Sequence, residues 1–136
     1  MQRAGIAALT GPQDNVRSMV AELRRRRDAV VAGLNAIPGV RCATPSGAFY
    51  AFPDVSEIIA ATGLTAPQLA RTLLEEHGVA LLPGNGFGAA GASHFRISFA
   101  GTADAVRDGV SRIASGIAAI TGATHSAQRR PAPGVA

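Results

Sequence analysis

The chain has 136 residues, 47% of them apolar, which is enough for one domain with a buried core. That core is thin for the length: 28 residues are alanine, which buries little area, with no Trp, one Tyr and five Phe. Either marginal stability in isolation or a large face that packs on something else is therefore expected, and all 13 basic residues behind the net charge of +4 are arginine.

The lone Cys42 excludes an internal disulfide and points to a reducing compartment. The stretch Ala4 to Leu9 after Arg3 is too short for a signal-peptide core, and no apolar run approaches membrane-spanning length. A cytoplasmic protein with no membrane partner is the default expectation.

In chain order, residues 2–9 read as a short helical or irregular lead-in. A helix is predicted from Thr10, where Thr10 and Gln13 have capping-box spacing and Pro12 sits in the first turn. Val16, Val20, Leu23, Val30 and Leu34 keep helical spacing, with Arg27 on the same stripe, until Pro38-Gly39 stops the helix. Val40 to Ala43 and the aromatic-rich Ala48 to Phe52 read as strands joined by a turn at Pro45-Ser46-Gly47. Residues 55–61 read as a helical turn. A second helix runs from Ala66 to His77, boxed by Thr65 and Gln68 and ended by Gly78. Val79 to Leu82 is a short buried strand, and Pro83 to Ser93 a glycine-rich loop.

From His94 to Ala100 the pattern alternates, with Phe95, Ile97 and Phe99 on one side and His94, Arg96 and Ser98 on the other. A last helix from Thr102 carries Val106, Val110, Ile113, Ile117 and Ile120 on one face. From Gly122 to Ala136 the composition is that of a disordered tail. This order predicts a two-layer α/β sandwich: a small, mostly antiparallel sheet with helices on one face, after a long first helix.

Several residues could carry chemistry. Arg96 is turned away from the core face on a strand that fixes its direction. Its fork of donors matches a carboxylate in bidentate fashion, although by pattern alone an ordinary surface ion pair is the better account of it. Gly47 would permit close backbone approach, and Phe49 and Tyr50 would point to opposite sides of their strand, where both could simply be core. The glycine-rich loop leads into a strand rather than a helix N-terminus, so the usual phosphate-cradle mechanism is absent. Arg24 to Arg27 with the basic balance invite a nucleic-acid reading. Four successive helical residues spread around the whole circumference, however, and no stacking aromatics lie nearby, so no nucleic-acid partner is expected. His77, His94, His125 and Cys42 show no metal-ligand or triad spacing.

Four segments in order, "GPQD…RRRRDAVVAGLNAIPGV", "PSGAFYAFPDV", "GVALLPGNGFG" and "HFRISFA", resemble the C-terminal part of class I/II aminotransferases. These form the aspartate aminotransferase-like branch of fold-type I enzymes that use pyridoxal 5'-phosphate (PLP). The resemblance spans Gln2 to about Ile120. It implies a small C-terminal domain over residues 1–121, including a helix that links it to a large domain lying upstream. It implies that Arg96 clamps the α-carboxylate of an amino acid or 2-oxo acid and that Gly47 and Phe49 wall the substrate pocket. The glycine-rich loop becomes a mobile segment near the active-site entrance, and a homodimer is expected.

The resemblance further implies that the Schiff-base lysine and most of the groups that anchor PLP belong to the upstream domain. The chain contains no lysine, so only the Met1 amine could form an imine, and a fragment inactive by itself is expected. A β-lyase or decarboxylase with the same clamp, or a non-catalytic arginine-rich interaction module, are the competing readings.

Overall fold

The computed structural model describes the backbone of residues 2–128 and the side chains of residues 2–122. Five helices and three short strands follow one another: α1 (Gln2–Thr10), α2 (Asp14–Asn35), β1 (Tyr50–Ala51), α3 (Ser56–Thr62), α4 (Ala66–His77), β2 (Leu82–Pro83), β3 (Phe95–Ser98) and α5 (Ala103–Gln128). The strands form an antiparallel sheet in the order β1-β3-β2, with Ala51 opposite Ile97 and Leu82 opposite Arg96. Helix α5 packs against α2, α3 and α4.

The core lies between these helices and one face of the sheet. Opposed residues of an antiparallel ladder share a face, so Ala51, Ile97, Phe95 and Phe99 stand on the same side. Ala51, Phe95 and Phe99 are buried there with Leu34, Leu69, Leu73 and Ile113. The sheet is thus shielded on one side and open on the other, as the alternation from His94 to Ala100 predicts.

Helix α4 forms as the sequence indicates. The Thr65 N–H donates to Gln68 Oε1 at 2.8 Å, Leu69 and Leu73 face the core, and Gly78 closes the helix at φ 65°. A left-handed residue at that position costs glycine nothing, and it lets the Val79 N–H reach back to the Leu73 carbonyl at 3.0 Å.

The lead-in is the helix α1, and the long helix starts at Asp14 rather than at Thr10. Thr10 and Gln13 do not box a helix start; both turn backward. The Thr10 hydroxyl donates to the Ile6 carbonyl at 2.8 Å, and Gln13 Nε2 donates to the Ala8 and Gly11 carbonyls, each at 2.9 Å. These bonds satisfy orphan carbonyls at the end of α1, and Pro12, which has no N–H to continue the helix, marks the break. Within α2, Val30, Val31 and Leu34 are buried, whereas Val16, Met19 and Val20 are exposed.

The ladders are shorter than the strand signals. Val40 to Ala43 contributes one isolated bridge, Arg41 to Asp54. The segment is held instead by Asn35, whose side-chain amide accepts from the Cys42 N–H at 2.8 Å and donates to the Cys42 carbonyl at 2.9 Å. Between Val79 and Leu82 only Leu82 enters a ladder, and it is exposed rather than buried. Helix α5 continues through Gln128, so residues 122–128 of the expected tail are helical, while 129–136 lie outside the described residues. No helix among the described residues is long and apolar enough to cross a membrane.

Candidate functional site

The open face of the sheet carries Arg96 on the central strand, flanked by β1 and β2. Its guanidinium carbon lies 4.5 Å from the Tyr50 ring centroid and 4.2 Å from the Phe87 ring centroid. Two aromatic rings thus hold the cation by attraction to their negative faces. Tyr50 reaches it from β1, and Phe87 from a 3-10 turn, Gly84–Phe87, within the loop between β2 and β3. Among the described residues no carboxylate stands within ion-pair distance of Arg96. Two rings stand near the guanidinium, and the surface ion pair that pattern alone also allowed is not formed among the described residues.

The aromatic packing continues outward. Phe52 meets Phe87 edge-on at 6.2 Å between centroids and stacks on His94 at 4.9 Å. The loop that presents Phe87 has a tight base: a Cβ at Gly84 would stand 2.4 Å from the Gly91 carbonyl oxygen and 2.8 Å from that of His94. The contact of Phe87 with Arg96 is not legible in the sequence, where Phe87 lies inside the glycine-rich loop Pro83 to Ser93. Its flanking glycines gave no direction; the hint was an isolated large aromatic in an otherwise small-residue loop.

Phe49 and Tyr50 do not face opposite sides. Their ring centroids are 4.7 Å apart, although the Phe99 N–H still donates to the Phe49 carbonyl at 3.0 Å. Phe49 therefore lies one ring removed from Arg96 and is partly exposed. Gly47 has nothing within 4 Å of where a Cβ would stand, and the left-handed residue of this turn is its neighbour Ala48, at φ 60°. Gly47 borders a groove of about 210 Å³ with Val20, Leu23, Arg24 and Arg27, whose lining does not include Arg96. The structure thus brings Phe49 toward the arginine and leaves Gly47 on a different surface.

The remaining candidates are engaged elsewhere. Arg26 bonds Glu22 at 2.9 Å and the Ala100 carbonyl at 3.2 Å, and Arg27 pairs with Asp28 at 2.8 Å, so the arginine run does not present one basic face. Burial raises the Cys42 thiol above its ordinary value, which keeps it protonated and unreactive. His77 Nε2 is buried without a hydrogen-bond partner, and the side chain of His125 lies outside the described residues. Asp54 sits at the sheet edge. Burial would raise its pKa, but the Ser56 N–H and hydroxyl, at 2.9 and 3.1 Å, together with Ser93, hold it below the usual value.

Comparison with known proteins converges on one family. The family model described as "Aminotransferase class I and II" matches residues 1–113. The chain is 42% identical over 113 residues to an aspartate aminotransferase of Bacillus sp. (strain YM-2), covering 82% of this chain and 28% of that protein. It is 42% identical over 115 residues to an LL-diaminopimelate aminotransferase of Nitratidesulfovibrio vulgaris, covering 85% and 28%. The crystal structure of an aspartate aminotransferase from Rhizobium meliloti superposes with a TM-score of 0.78 at 38% identity, over 85% of this chain and 30% of that one. The chain thus spans about 28% of the length of the curated relatives it matches. With fold, order of segments and sequence in agreement over most of its length, the chain belongs to the class I and II aminotransferase family.

Proposed function

We propose that this chain is the C-terminal, substrate-gripping part of a PLP-dependent transaminase, in which Arg96 binds the α-carboxylate during amino transfer between an amino acid and a 2-oxo acid. The observation that carries the reading is the Arg96 guanidinium, held between Tyr50 and Phe87 without an internal acid. A planar fork held in one orientation binds a carboxylate through two parallel charge-assisted bonds, and lysine cannot reproduce that geometry. Gripping one end of the substrate restricts where its Cα–H bond lies, which is catalysis by orientation. Phe49 adds apolar wall beside the grip. Gly47, on the α2 groove, is a contact for another part of the protein or for substrate entering from that side.

The residues present here do not fit PLP by themselves. The sequence has no lysine for an imine, and its glycine-rich loop runs through 3-10 turns into β3 instead of opening a helix. The cofactor, which supplies the electron sink of the reaction, therefore belongs to an upstream large domain in a longer protein. Residues 1–121 form the small domain and its linking helix, and the exposed apolar residues of α1 and early α2, such as Leu9 and Met19, supply its contact with that domain or with the second subunit of a cytoplasmic homodimer.

The test is product analysis of the longer protein carrying this sequence, given an α-amino acid and a 2-oxo acid. Formation of the new amino acid and new 2-oxo acid in equal amounts supports transamination. Ammonia or carbon dioxide without amino transfer would replace this reading by a β-lyase or decarboxylase using the same grip.

A further inference from the structure

Resting on the reading of Arg96 as a carboxylate grip, we propose that Phe87 is the positioning residue that sets the orientation of that grip. Strand β3 fixes where the Arg96 side chain starts, but four rotatable bonds separate its backbone from the guanidinium, and the guanidinium has no ion pair among the described residues. The two rings within 4.5 Å of its central carbon are its recorded restraints. Tyr50 belongs to the sheet itself. Phe87 does not: it comes from a loop that folds back over β3, and it is the nearer of the two rings, at 4.2 Å.

The loop is built to hold that ring in place. Its base closes on backbone-to-backbone contact: the Gly84 N–H donates to the His94 carbonyl at 2.7 Å, and neither Gly84 nor Gly91 has room for a Cβ. Phe52 packs beneath both glycines, its Cζ standing 2.9 Å from a Cβ built at Gly84 and 3.2 Å from one at Gly91. The same Phe52 ring meets Phe87 edge-on, in the arrangement that ring quadrupoles favour. Beyond the base the loop opens, with nothing near a Cβ at Gly86 or Gly88 and Gly88 at φ 113°. Between those unencumbered glycines Phe87 reaches Arg96 from a firm base, the arrangement expected when one side chain must be held against one target. A ring there restrains the guanidinium while leaving its in-plane N–H donors for a carboxylate, and shields the pair from water, which strengthens it.

The experiment is a titration of the longer protein carrying this sequence with acetate, following the side-chain Nε–H resonance of Arg96 by NMR, with chloride of equal ionic strength as control. Phe87 is half exposed, so its substitution leaves the core intact. Phe87→Ala is expected to weaken the acetate response about five- to tenfold and to shorten the exchange lifetime of the Nε–H. Phe87→Tyr is expected to restore both, and Phe87→Leu, which covers without a π face, to fall between. An acetate response at Arg96 that Phe87→Ala leaves unchanged overturns the positioning role while the carboxylate grip stands. No response at Arg96 in the unsubstituted chain overturns the grip itself and the proposal with it.

Discussion

The two faces of strand β3 differ more than any two helices of the molecule. On one, Phe95 and Phe99 are each 1% exposed and pack with Ala51 against the helices. On the other, Arg96 and Ser98 remain accessible, and Tyr50 and Phe87 serve the arginine rather than the core. The five-residue run Phe95 to Phe99 thus presents a packed side and an open side. Apolar area leaves water on the first face, and on the second a charge stands between two rings with no internal acid among the described residues.

Substitutions should separate the two faces. Phe95→Ala removes a fully buried ring and should cost about 3–5 kcal/mol in urea unfolding, enough to unfold a domain whose core is this alanine-rich. A small loss would mean that the packed face contributes less than its burial indicates. Gly84→Ala should cost about 1–3 kcal/mol, because its Cβ meets backbone oxygens that cannot step aside, and it should displace Phe87 from Arg96 at the same time. Retention of the Arg96 acetate response in this variant would show that the loop base and the site are independent.

Two smaller effects sharpen the contrast at the sheet margin. Ala48→Gly relieves a left-handed alanine and should stabilise by about 1 kcal/mol, read as a rise in melting temperature. Asp54 contributes through its lowered pKa. A carboxylate held below its ordinary value of 3.8 adds stability above that pH and loses it as the pH falls through the lower folded value. Asp54→Asn should therefore be less stable than the unsubstituted chain at neutral pH, with the difference closing below about pH 4. A difference that persisted at acid pH would trace to geometry instead of charge.

How much could be read from sequence follows the range of the interactions. Helix α4 was legible because its signals are local: Thr65 and Gln68 at one end, Gly78 at the other, and Leu69 and Leu73 between. The same spacing misleads at Thr10 and Gln13, since spacing cannot say whether a side chain turns toward the next helix or back to the previous one. Strand propensity at Val40 to Ala43 is real, but the segment forms only one bridge, Arg41 to Asp54, and its next residue, Cys42, bonds the Asn35 side chain instead, a contact set by where α2 ends. The side of β3 on which Arg96 stands is legible because alternation fixes direction. The contact of Phe87 with Arg96 is not, because it depends on a loop folding across the sheet, and neither is the closeness of the Phe49 and Tyr50 rings.

The most direct test of the central claim compares kcat/KM of the longer, cofactor-loaded protein with that of its Arg96→Lys variant. Two donors should be used: an α-amino acid and the amine that lacks only its carboxylate. A loss of about 100-fold or more is predicted for the amino acid, from a forfeited bidentate charge pair worth roughly 3 kcal/mol, with little change for the amine. An equal loss for both donors, or none for either, would contradict the assignment of Arg96 to the carboxylate.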